Sequence, residues 1–442
     1  EGVTFHDGAA LNADAVIKHY ETILEDPIIS IAIRSAFVED NRFEKIDDLT
    51  VQFNLARPDA NWPATAASQL GMITSPDWLD AVANDETLNQ RPVGTGPFRI
   101  ESRQQDLSTS VVRNEEYWQG TDDIYLDRIE FFIETDPALG AERLASGDLD
   151  VVVTSNSDAT LTLRDADGVS TIENNLSGEN FAMMNASQPP FDDIRARQAL
   201  TFSTEREAYI DLIGQGTRIP ANSMYHPDSP YHNPDVVQEA DMPELAGPLV
   251  EEYCGEVPDQ CTDGKINMEL QFSGPSTLQT RIMDILSAGW EPYFNVTRQQ
   301  LPEDQHITEV ATGQWQVSTW RQFGEAAPTM EVIWLSCETA EGLVALNWTR
   351  TCDPERDALL YEARAAEDEA AVTAAMQGVQ ELVNTQYAYI FLTHANWTLG
   401  FQDAVKDICG NQGPPDATTG ERPTVLCNGQ GRGFFHNTWI AQ

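Results

Sequence analysis

The chain has 442 residues, 41% hydrophobic and 22% charged, enough for two or three packed units of an ordinary globular protein. Asp and Glu number 71 against 26 Lys and Arg, a formal net charge of -45. That field repels phosphate backbones and anionic membrane surfaces, so it argues against nucleic-acid binding and fits a saline medium that screens the self-repulsion.

In chain order, Asn12 reads as a helix N-cap, followed by Ala15, Val16, Tyr20, Ile23 and Leu24 at helical spacing. "DDLTVQFNLARP" alternates Leu49, Val51, Phe53 and Leu55 as a strand does, and Pro58 closes it. "RPVGTGPFRI" is a Gly/Pro turn leading into strands and "VVRNEEYW". "DRIEFFIE" reads as a strand, Asp136-Pro137 starts a helix that Gly147 stops, and "LDVVV" is the next strand. This order predicts a parallel crossover unit.

"NFAMMN" at 180–185 is a short apolar strand, and helical material follows from about Asp193 to Ile213. Then come strand "INMELQF", a helix over 277–289, strand "NVTRQQL", a helix over 303–312, and strand "WQVSTW". Two α/β lobes are expected. One long helix is predicted from Pro354 to about Val383, its acids on a solvated face.

The six cysteines fall into sequence-adjacent pairs, which favours bridges Cys254–Cys261, Cys337–Cys352 and Cys409–Cys427 out of 15 connectivities. Such bridges imply an oxidising compartment. No C-x-x-C and no histidine cluster points to metal, and no cofactor motif is present. "GTGPF" lacks the Lys-Ser/Thr of a phosphate loop, and neither G-x-S-x-G nor H-E-x-x-H occurs. Nothing in the residues supports catalysis.

"GVTFHDGAALNADAVIKHYETIL", "VGTGPFRI … VVRNEEYWQG", "AERLASGDLDVV", "NASQPPFDDIRARQALTFSTEREAYID" and "CDPERDALLYEAR", in that order, resemble the family 5 extracellular solute-binding proteins of bacterial ABC importers. The resemblance implies a two-lobed, periplasmic-binding-protein-like (type II) α/β fold. Residues 94–184 plus 400–442 would form lobe one, residues 186–399 lobe two, and residues 1–93 an extra domain on lobe one. It implies a monomer, periplasmic or extracellular, that closes on a peptide or peptide-like solute and delivers it to a membrane permease. Because the F-H-D-G segment is internal in that family, the resemblance also places the first strands of lobe one, and any export signal or lipid-anchor cysteine, ahead of this sequence.

The expected ligand contacts are Trp320, Arg321, Gln322, Phe323, Asn180, Met183, Asn185 and Trp397. Peptide-binding members carry an acid three residues after the Gly-Trp tryptophan, where it pairs with the peptide ammonium. Phe323 stands in that place, with Glu325 two residues on. The substitution shifts weight toward blocked peptides, sugar conjugates and oligosaccharides, whose faces Trp320, Phe323 and Trp397 could stack on. Arg321 suits a carboxylate or phosphate. A secreted hydrolase and a sensor on the same scaffold are the readings from other classes.

Overall fold

The protein is described from a computed structural model, which covers residues 1–26, 29–66, 71–176, 178–323, 328–408 and 435–441. In chain order the strands are β1 (Phe43–Asp47), β2 (Thr50–Phe53), β3 (Phe98–Gln104), β4 (Ser108–Arg113), β5 (Arg128–Phe132), β6 (Val151–Thr154), β7 (Val169–Asn174), β8 (Glu179–Met184), β9 (Ile219–Pro220), β10 (Cys261–Thr262), β11 (Lys265–Ser273), β12 (Phe294–Leu301), β13 (Val317–Gln322), β14 (Tyr389–His394), β15 (Trp397–Gln402), β16 (Val405–Lys406) and β17 (Trp439–Ile440). They divide between two compact units. The first comprises Glu1–Pro58, Trp62–Asn174 and Trp397–Gln442, and the second Asp59–Asn61 and Asn175–Asn396. Among the described residues, no helix is long and apolar enough to cross a membrane.

The first unit is built from small antiparallel sheets. Asn12 caps its first helix, Ala13–Glu25, by accepting a hydrogen bond from the Ala15 backbone N–H. Tyr20 on that helix packs with Phe37, Phe43 and Phe53. The expected single strand over 47–58 is a hairpin of β1 and β2 instead, with Leu49 in the turn. Strands β3, β4 and β5 form one sheet and β6, β15 and β7 another. The predicted parallel crossover is therefore absent here. β5 pairs antiparallel with β4, and β6 antiparallel with β15, a strand from the far end of the chain. Gly400 in β15 lies so close to its covering helices that an added Cβ would fall 2.9 Å from Leu163 Cδ1 and 3.0 Å from Leu144 Cδ2.

The second unit carries a seven-stranded mixed sheet. Its path runs β10-β11-β13-β8-β14-β9, with β12 on the outer side of β11. β11 pairs parallel with β12 and β13, as the alternating strands and helices predict. β8 is buried along its whole length, and both of its neighbours run antiparallel to it. Its side chains alternate between two cores. Ala182 and Met184 join Leu270, Leu286, Trp290 and Val317 on one face. Phe181 and Met183 join Phe323, Tyr389 and Phe391 on the other.

Since β8 is central to this sheet, the main crossings between units fall at 174/175 and 396/397, beside the brief excursion of Asp59–Asn61. Glu179–Met184, expected in the first lobe, lies in the second unit, and 397–399, expected in the second, lies in the first. Two predicted helices are broken. Ile194–Phe202 stops at Ser203, whose hydroxyl donates to the Ala199 carbonyl at 2.7 Å, and the chain resumes as Arg206–Tyr209 and a π-helical turn over Ile210–Gly214. The helix predicted over 354–383 is two, Pro354–Ala365 and Glu369–Thr385, because Ala366 is extended and Asp368 caps a new start by accepting from the Ala370 N–H. Cys254–Cys261 and Cys337–Cys352 are bridged. Cys409 and Cys427 lie outside the described residues.

Candidate functional site

At the ends of β13, β8 and β14, antiparallel register brings residues into rows across the sheet. Gln322, Glu179 and His394 form one row, and Arg321, Asn180 and Thr393 the next. Adjacent rows point to opposite faces, so the two sets make separate constellations.

The second row is a polar chain. Asn180 donates from Nδ2 to Thr393 Oγ1 at 3.2 Å and accepts on Oδ1 from Arg321 Nε at 3.1 Å. Asn180 is thus fixed at both ends of its amide and orients the guanidinium. Burial pushes Arg321 down to about 10, and the neighbouring Arg218 charge adds to the effect. Arg218, just before β9, is 8% exposed.

The first row is a buried acid–base pair. Glu179 and His394 are 0% and 1% exposed, with Glu179 Oε1 3.0 Å from His394 Nδ1. Burial drives Glu179 well above the ordinary carboxylate range, and the buried Glu331 nearby adds to it. Burial also drives His394 down to about 3, reinforced by His226 and His232. Each group favours its neutral form, so the pair is best described as uncharged. The His226 ring lies edge-on to His394 at 4.9 Å between centroids. Asp228 N–H donates to His226 Nδ1, which places the proton of the neutral His226 ring on Nε2. Burial raises the Tyr225 hydroxyl, helped by Glu331 and Glu179. Among the described residues, no group of three or more His, Cys, Asp or Glu is arranged to hold a metal ion.

The expected ligand residues separate accordingly. Arg321 and Asn180 come together, with Gln322 beside Glu179 on the opposite face. Trp320 shares that opposite face and is half-buried, its ring 4.1 Å from Trp348 at 87° and 5.4 Å from His306. Phe323 does not stand where a ligand-facing strand residue would. Its φ of 68° is left-handed, and it turns the side chain back to the Trp320 face. There it is 1% exposed, 5.4 Å from Phe181 and 5.2 Å from Tyr389. Met183 is likewise core, at 1% exposed.

Asn185 is fully buried and brackets the chain. Its Nδ2 donates to the Gly313 and Trp315 carbonyls, and its Oδ1 accepts from Ser187 N and Oγ. Trp397 opens β15 in the first unit, opposite Asn174 of β7. Glu325 lies outside the described residues. Glu179, His394, Glu331 and Arg218 were not singled out by the sequence. Only strand register, a long-range property, shows that residues 179 and 394 meet.

Comparison with known proteins completes this description. The sequence pattern of the bacterial extracellular solute-binding proteins, family 5, matches residues 1–342. Di/tripeptide-binding protein 2 of Pseudomonas aeruginosa is 25% identical over 438 residues, covering 94% of this chain and 80% of its own. The periplasmic binding protein DppA of Helicobacter pylori, solved with the peptide STSA, superposes with a TM-score of 0.83 at 17% identity, over 100% of this chain and 85% of that one. A dipeptide-binding protein of Pseudoalteromonas sp. SM9913, solved with Met-Leu, gives 0.79 at 18% identity, over 100% and 86%.

Proposed function

Because the chain belongs to the bacterial extracellular solute-binding proteins of family 5, we propose that it captures a peptide or peptide-like solute outside the cytoplasm and delivers it to an ABC permease. The match over residues 1–342 carries this reading, and the similarity to a di/tripeptide-binding protein along nearly the whole chain supports the solute class. Binding, not bond-breaking, is the task. The oriented polar pair Asn180–Arg321 is suited to gripping a ligand group, and burial holds the acid–base pair Glu179–His394 uncharged.

In this reading the protein acts as a monomer. Arg321 and Asn180 contribute from the second unit, while Trp320 and Gln322 line the same strand end. Phe323 and Met183 support the strand from within the core, and Asn185 holds the chain where β8 ends. Residues ahead of β3 form an accessory domain on the first lobe.

Thermal-shift screening of di- and tripeptides beside oligosaccharides tests the solute class. A peptide at 100-fold excess over Kd should stabilise the protein by about 2.7 kcal/mol. Stabilisation by oligosaccharides and by no peptide would overturn the peptide assignment.

A further inference from the structure

Strand β11 carries two kinds of side chain. Met268, Leu270 and Phe272 enter the core on one face. Asn267, Glu269 and Gln271 alternate with them and point to the other face, where the helix Glu303–Thr312 lies. Parallel register sets Gln271 beside Gln299 of β12. Gly313 ends the helix with a left-handed φ of 77°, and the Gln314 N–H donates back to the Glu309 carbonyl at 2.8 Å. That turn brings the Gln314 carbonyl to the same place.

Four oxygens meet there on one nitrogen. Around Gln271 Nε2 stand Gln299 Oε1 at 2.8 Å, Glu309 Oε2 at 3.0 Å, Glu269 Oε1 at 3.1 Å and the Gln314 carbonyl at 3.1 Å. An amide nitrogen carries two hydrogens, so it cannot donate to all four. The other end of the same amide is idle. Gln271 is 2% exposed, and its Oε1 has no hydrogen-bond partner among the described residues. Neither Glu269 nor Glu309 forms a salt bridge among the described residues. Gln305 Nε2 donates to Glu309 Oε1 at 2.8 Å, and burial pushes the nearby His306 down, toward its neutral form. Two carboxylates thus share one neutral, oversubscribed donor.

We propose that Glu269, Gln271, Gln299, Glu309 and the Gln314 carbonyl form a calcium-binding site, in which Gln271 turns its amide so that Oε1 faces the ion. Every ligand is then an oxygen, the two carboxylates balance the charge of the ion, and the idle Oε1 gains a partner. Neutral amide and main-chain oxygens from separate elements suit the adaptable coordination of calcium. They suit magnesium poorly, because it demands near-octahedral geometry and gives up its waters reluctantly. Glu269, Gln299 and Glu309 are half-buried and Gln314 is exposed, which gives the ion a way in from solvent. The net charge of -45 raises the local concentration of cations. Bound there, the ion joins β11, β12 and the helix Glu303–Thr312, and so braces the outer part of the second unit's sheet. The proposal does not depend on which solute the protein captures.

The test uses the whole chain, freed of divalent ions with chelator, in roughly 1 M NaCl, where screening over about 3 Å suppresses general attraction of cations. Calorimetric titration with calcium chloride should show one saturable site per chain, with Kd in the range of about 10⁻⁴ to 10⁻³ M. Calcium should also raise the melting temperature more than an equal concentration of magnesium. Glu269→Gln and Glu309→Gln should each weaken calcium binding at least about tenfold. Gln271→Glu, which puts a third carboxylate in place of the amide, should tighten it at least about threefold. Glu303→Gln removes an exposed acid from the same helix and should leave the affinity within about twofold. A folded wild type with no saturable calcium heat overturns the site. Equal weakening by Glu303→Gln also overturns it, since the acidic surface as a whole would then hold the ion. Magnesium binding as tight as calcium binding overturns the calcium assignment. If Glu309→Gln does not fold, Glu269→Gln carries the comparison with Glu303→Gln.

Discussion

Glu179 and His394 show how strongly burial acts on single groups in this chain. Above the ordinary carboxylate value, the folded protein keeps a proton on Glu179 that the unfolded chain releases, so this group lowers stability as pH rises toward its raised folded value. His394 works in the opposite sense. As pH falls from 6.5 toward about 3, the unfolded chain takes up a proton that the folded ring refuses, and stability drops. Glu331 adds to the Glu179 shift, and His226 and His232 add to that of His394. Glu179→Gln keeps a neutral hydrogen-bonding side chain of the same size. Its stability relative to wild type should therefore increase between pH 4.5 and pH 8 in urea unfolding; a difference that does not change with pH would contradict a protonated Glu179. Phe323 shows what residue-level reading misses. Its type and position suggested a ligand contact, but a left-handed φ returns the ring to the core. Such a φ for a bulky residue costs on the order of 1–3 kcal/mol, and packing against Phe181, Tyr389 and Phe391 offsets it.

Among the elements, local signals were legible and long-range pairings were not. Strands β8, β11, β12 and β13, and the caps at Asn12 and Asp136, appear where the sequence places them. The parallel pairing of β11 with β12 and β13 follows from strand–helix–strand order. The same order failed at β5 and β6, because β15 arrives from some 245 residues away to pair with β6. The site was legible in part for the same reason. Arg321 and Asn180 were expected as ligand groups, but their contact and that of Glu179 with His394 depend on register. The cysteine spacing was a sound guide at two of its three pairs; the third lies outside the described residues. Cys337 donates its N–H to Asp357 at the start of Pro354–Ala365, and Asn347 bridges the Ser336 and Thr351 carbonyls within the same loop. Replacing both Cys337 and Cys352 by Ser should cost about 3 kcal/mol, the loop-closure term for a separation of 15 residues. Denaturant unfolding checks it, and an unchanged midpoint would show that these hydrogen bonds hold the loop without the bridge.

At the scale of the whole molecule, the net charge of -45 sets the conditions for any measurement. Self-repulsion acts over about 10 Å at 0.1 M salt and over about 3 Å at 1 M, so the folded state is favoured in concentrated salt. That field also repels anionic solutes at long range. The family supplies the task, capture of a solute outside the cytoplasm. Calorimetric titration of the whole chain in roughly molar salt with the di- or tripeptides that raise its melting temperature tests capture most directly. The account predicts saturable binding of one peptide per chain. A chain that is folded and monomeric yet shows no saturable heat with any of them would contradict it.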